Sequence, residues 1–191
     1  MLELPDTNPI NDPEYLWTLQ GQLLAMVKVS CGARDQSFEI FRPQFCKNGP
    51  NIRIEYSPIR GAYAQLGYNG RFCWPIVVYQ LAQETVHFLN PVKWDEVSFL
   101  EEGVSIALAI HAQKQFKGCK KEPNPDNEAD RKYVSAYSLV KQLPDGALES
   151  ARRIRQKVGR LSAATADDLM SLYHGRLEPT VAEKLASKFN A

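Results

Sequence analysis

No Cys-x-x-Cys pair occurs in this chain, and its four cysteines, Cys31, Cys46, Cys73 and Cys119, are widely scattered. That spacing excludes a cysteine zinc site and gives no disulfide framework, so reduced and packed thiols are expected. Neither sign of charge dominates: the formal net charge is +1. This removes the electrostatic case for nucleic acid or an anionic membrane as the main partner. One local excess, Arg152, Arg153, Arg155, Lys157 and Arg160, has helical spacing and reads as a solvated face. No run approaches the roughly 18 apolar residues of a membrane span. The start, Met1 to Asp6, lacks the basic residues and apolar run of a signal peptide. A soluble, cytoplasmic protein is the expectation. What is present is ordinary for a globular domain: 191 residues, 44% hydrophobic and 24% charged, enough for a sizeable core.

The order of elements predicts an α+β fold. Residues 1–12 are polar with two prolines and read as a loose arm. Asp12 can cap a helix that Pro13 opens, with Leu16, Leu19, Leu23, Leu24 and Val27 on its buried face and Gly32 as its stop. Residues 37–41 and 52–56 alternate as strands do, and Pro43 and Asn48-Gly49-Pro50 punctuate them. The small, glycine-flanked stretch 61–67 reads as an edge strand that another backbone approaches. Helices follow at 75–89 and 97–116, the second apolar on most faces from Val104 to Ile110 and so buried nearly all round. Residues 118–127 read as a boundary. Beyond it helices are expected at 128–143 and 146–158, then two short ones opened by Thr165 and by Pro179. The domain reading is 1–118, with a helical extension over 119–191.

The helix at 75–89 carries the chemistry. Most of its residues are apolar, yet Gln80, Gln83, Glu84 and His87 fall at i, i+3, i+4 and i+7, on one narrow stripe. Such a stripe is either a wet outer face or the lining of a site. Its apolar flanks leave little circumference for solvent, and Glu101-Glu102-Gly103 opens the next buried helix. An imidazole and carboxylates converging in an interior suit a divalent metal, since buried charges without one are costly.

At these residues the chain resembles the zincin superfamily of metallopeptidases, in the branch with a glutamate as third ligand. That pattern is His-Glu-x-x-His followed by Glu-Gly; here it reads Gln83-Glu84-Thr85-Val86-His87, then Glu101-Glu102-Gly103. The resemblance covers residues 13–116. It implies a zincin-like domain with a backing helix, a small mixed sheet, an active-site helix and a glutamate helix. It implies His87 and Glu102 as zinc ligands and Glu84 as the general base acting on a metal-bound water. It also implies substrate pairing along Gly61, Ala62, Tyr63 and Ala64 by strand addition.

The departure from the pattern is Gln83, where the family has its first histidine. An amide oxygen is a poorer zinc donor than imidazole, and catalytic zinc takes three protein ligands plus water. Zinc is therefore expected to be weak or absent. Glu101, His111 and His174 are the possible stand-ins, and their positions suit the task poorly. The leading expectation is an inactive or weakened peptidase homologue that binds a peptide or protein in the old substrate cleft. The alternatives are an active metal-dependent hydrolase using Gln83, and an interaction module acting through the arginine-bearing tail.

Overall fold

The computed structural model describes residues 2–119 and 130–189. The fold is α+β, with seven α-helices and one small mixed sheet among the described residues. The residues form two compact units. One holds the described parts of Met1–Lys28, Arg34–Pro91 and Leu108–Glu122; the other holds those of Val29–Ala33, Val92–Ala107 and Pro123–Ala191. The divisions fall within helix α1 (Pro13–Cys31) and within helix α3 (Phe99–Gln113). No helix among the described residues is long and apolar enough to cross a membrane.

In the first unit α1 begins as its sequence dictates. The Asp12 carboxylate accepts from the Tyr15 backbone N–H at 3.0 Å, which satisfies one of the orphan donors of a helix start. Leu16, Leu19, Leu23 and Val27 are buried, and Gly32 follows the helix at φ 92°, a left-handed position that suits glycine. The N-terminal residues are tied down where a loose arm was expected. Leu2 pairs with Phe116, its N–H donating to the Gln115 carbonyl at 2.6 Å, and the Trp74 indole donates to the Thr7 carbonyl at 2.6 Å.

The sheet consists of β1 (Glu39–Ile40), β2 (Gln44–Cys46), β3 (Asn51–Glu55) and β4 (Gly61–Gly67). β2 lies where Pro43 had read as punctuation alone. Gly61 is paired both with Glu39 of β1 and with Glu55 of β3. Gln65 is paired both with Gln44 of β2 and with Asn51 of β3. A strand residue has two edges, so β1 and β2 run parallel to β4 along one edge and β3 runs antiparallel along the other. β4 is thus the middle strand, and the expected edge at Gly61, Ala62, Tyr63 and Ala64 is corrected. Strand addition at Gly61 or Ala62 would have to displace β1 or β3. The small residues do mark a close approach, but by the chain's own Phe41 ring, which occupies the space a Cβ on Gly61 would need.

Helix α2 (Trp74–His87) packs behind this sheet, facing the buried Ala62, Ala64 and Leu66 of β4. The end of α3 joins the same unit: the Gln113 amide donates to the Pro75 carbonyl at 3.3 Å.

The second unit contains the start of α3 and helices α4 (Arg131–Val140), α5 (Ala147–Val158), α6 (Ala166–Tyr173) and α7 (Pro179–Ala186). Most of the expected boundary at 118–127 lies outside the described residues. Thr165 opens α6 with a capping box: its hydroxyl accepts from the Asp168 N–H, and the Asp168 carboxylate accepts from the Thr165 N–H. The last described residues pair with the approach to α3. Phe189 N–H donates to the Val97 carbonyl at 2.8 Å, and Phe99 N–H to the Ser187 carbonyl at 3.0 Å. Around this clasp Val92, Val97, Phe99, Ala136 and Phe189 form a buried cluster, with Tyr133 and Leu139 packed against it.

Candidate functional site

The stripe on α2 is internal. Gln80, Gln83, Glu84 and His87 are all buried, and so are the apolar residues Val77, Val78, Leu81, Ala82 and Val86 of the same helix. The wet-face reading of this stripe is therefore set aside. Pro75 suits the first turn because its missing N–H is no loss there. The helix runs to His87, with no charged residue in its first turn.

Gln80 has a structural task within the first unit. Its Oε1 accepts from the Gly67 N–H at 3.0 Å, and its Nε2 donates to Asn69 Oδ1 at 3.0 Å. Both ends of the amide are used, so the end of β4 and the turn after it are fastened to α2. Gly67 allows this approach, because a Cβ there would lie 2.8 Å from Asn69 Oδ1 and 3.0 Å from Gln80 Nε2. Of the polar stripe, Gln80 is thus a fastening between α2 and the sheet, which leaves Gln83, Glu84 and His87. These three lie within about 100° of one another over little more than one turn of the helix, in the first unit.

Glu101 and Glu102 belong to the second unit, in the first turn of α3, where the helix dipole favours carboxylates. The Ser98 hydroxyl accepts from the Glu101 N–H at 3.2 Å as the cap of that turn. Both glutamates are buried. Glu101 Oε2 accepts a short hydrogen bond from the Ser162 hydroxyl, which precedes α6. Glu102 Oε1 lies 3.4 Å from the Ser105 hydroxyl, which donates more closely, at 2.7 Å, to the Glu102 carbonyl.

Gly103 completes the Glu-Glu-Gly sequence for a packing reason. A Cβ there would collide with the Ala136 carbonyl oxygen and lie 2.5 Å from Val140 Cγ1, so glycine lets α4 lie directly on α3. The residue that looks like part of a metal motif is required by a helix contact within its own unit.

The possible stand-in ligands are elsewhere. His111 is exposed on α3, and His174 is exposed at the left-handed end of α6, with φ 48°. Among the described residues no group of three or more His, Cys, Asp and Glu is arranged to hold a metal ion. None of these side chains lines either of two cavities of about 270 Å³, each of which lies within one unit. One is lined by Leu24, Lys28, Arg34 and Leu89 in the first unit, the other by Gly32, Arg152, Arg155 and Gly159 in the second.

The arginine run of α5 corrects the solvated-face expectation at its centre. Arg155 is buried and donates to the Cys31 carbonyl and the Ala33 carbonyl, each at 2.7 Å. The Cys31 carbonyl is one that a finished helix leaves orphaned, where a cation is favoured, and Ala33 lies two residues beyond it. Burial pulls the Arg155 guanidinium below its usual pKa, opposed by nearby Cys31 and Glu101. Sequence reasoning missed this residue, and its only signal was an arginine on the Ala151, Ile154 and Val158 side of an otherwise polar helix. Arg153 is salt-bridged to Asp145, and Arg152 lies 3.9 Å from Glu149.

Comparison with known proteins adds no relative: no family model, no curated protein and no solved structure matches this chain.

Proposed function

We propose that this chain is a zincin-like protein whose metal motif has lapsed, and that it binds a peptide or protein segment without hydrolysing it. The kinship is supported by element order: α1, a small mixed sheet, α2 bearing Gln83-Glu84-Thr85-Val86-His87, then α3 opening on Glu101-Glu102-Gly103. The observation that carries the loss of catalysis is Gln83, buried on α2 one turn before His87. Its amide is neutral and a weak zinc donor, so the sequence pattern, with His87 and Glu102 as its remaining ligand positions, falls short of the usual three protein ligands. Glu101 is drawn off by the Ser162 hydroxyl. Without a metal to acidify a water, Glu84 has no activated nucleophile to make and is no general base in practice.

Metal analysis of protein purified without chelator tests this reading. The wild-type chain should carry far less than one zinc per molecule. Gln83→His should gain zinc, and with it peptide hydrolysis that depends on Glu84. Stoichiometric zinc in the wild-type chain, lost in Glu102→Ala, overturns the proposal in favour of an active hydrolase. The remaining reading, docking through the α5 arginines, is disfavoured by Arg155, whose guanidinium is spent on the end of α1.

A further inference from the structure

Because β4 is central, β3 forms one open edge of the sheet, and its chemistry is self-complementary. The Glu39 N–H donates to the Arg60 carbonyl and the Phe41 N–H to the Ala62 carbonyl, so the even-numbered peptide groups of this stretch face β1. The odd-numbered residues Gly61, Tyr63 and Gln65 therefore face β3, where they pair with Glu55, Arg53 and Asn51. It follows that Ile52 and Ile54 turn their own N–H and C=O groups outward. No strand among the described residues pairs with that outer edge. Beside it stand Arg53, 63% exposed, and the half-exposed Glu55, 43% exposed, their charged groups 3.7 Å apart in the same chain, and Tyr56, 64% exposed. An open edge is a template for another strand unless something blunts it.

We propose that β3 pairs antiparallel with β3 of a second copy of this chain, centred on Ile54. Only residues with outward peptide groups can form the close hydrogen-bonded pairs, which restricts the register. Centring on Ile54 sets Ile54 against itself and Ile52 against Tyr56 of the second copy. It also sets Arg53 opposite Glu55 of the second copy, and Glu55 opposite its Arg53, in the pairs whose side chains come closest. Every neighbouring register is worse. Centring on Arg53 opposes two arginines, and centring on Glu55 opposes two glutamates. Centring on Ile52 brings in Pro50, and centring on Tyr56 brings in Pro58, neither of which has an N–H to donate. One register satisfies the backbone, the charges and the apolar pairs together, as a two-fold interface requires.

Sedimentation equilibrium on the full chain, with circular dichroism to confirm folding, tests the proposal. The wild-type protein should dimerise. Arg53→Glu and Glu55→Arg should each weaken the dimer on the order of tenfold or more, since each creates like-charge pairs on both sides of the two-fold. Mixing the two single variants should restore association as a heterodimer, and the double variant Arg53→Glu/Glu55→Arg should restore the homodimer. Arg53 is exposed and Glu55 half-exposed, so the variants should fold. A wild-type chain that stays monomeric, a dimer indifferent to the reversals, or single variants that do not rescue each other overturns the proposal. So does capture of an unrelated strand at this edge by a chain that is itself monomeric.

Discussion

The guanidinium of Arg155 donates to the carbonyl of Cys31, the last residue of α1, at 2.7 Å, although 124 positions separate the two in the chain. With a second bond to Ala33, this arginine closes the end of one helix from the middle of another. Arg155→Ala should lower unfolding free energy by about 2–4 kcal/mol, because the buried Cys31 carbonyl and the Ala33 carbonyl lose a buried charged donor. Arg152→Ala, in a half-exposed position on the same helix, should cost at most about 0.5 kcal/mol. Chemical denaturation of the two variants side by side reads the difference.

Gly103→Ala is expected to be destabilising even though alanine is the better helix former. The added methyl would meet the Ala136 carbonyl and Val140, forcing α4 off α3. Overpacking of this kind costs about 1–3 kcal/mol, against less than about 1 kcal/mol gained in helix propensity. A rise in stability on this substitution would refute the packing explanation for the Glu-Glu-Gly glycine.

Gln80→Leu keeps the volume of the side chain but leaves the buried Gly67 N–H without its acceptor. The expected loss is about 1–3 kcal/mol. Amide hydrogen exchange supplies the specific signature: Gly67 should exchange faster in the variant, while amides in the middle of α1 should follow only the global change.

Cys31 should resist thiol reagents in the native state. Burial raises its pKa from an ordinary 9.0 to about 12, with Arg155 and Arg152 opposing. The thiolate is the reactive form, so labelling should wait for unfolding. The linkage has a definite sign. A folded-state pKa above the unfolded one means that the stabilisation is complete below about pH 9 and is lost as pH rises toward 12. Cys31→Ala should therefore flatten the alkaline fall in stability, as followed by denaturation at several pH values.

Local signals were legible wherever the physics is local. Asp12 before Pro13, Thr165 three residues before Asp168 and Pro179 at a helix start each act within one turn, and each begins a helix as read. The extent of 61–67 as a strand was legible too. Its rank in the sheet was not, because glycine and alanine report that something comes close without saying what. The polar stripe on α2 could be located at Gln80, Gln83, Glu84 and His87, but not whether water or protein covered it.

By itself, then, the order of residues determined the class of fold and the helix starts at Pro13, Thr165 and Pro179, since these depend on neighbours within a few positions. Tertiary structure alone decided that β4 is flanked on both edges, that Gln80 is a fastening and that Arg155 lies inside the protein. Each of those facts rests on a hydrogen bond or a contact between residues far apart in the chain, and periodicity carries no record of such partners.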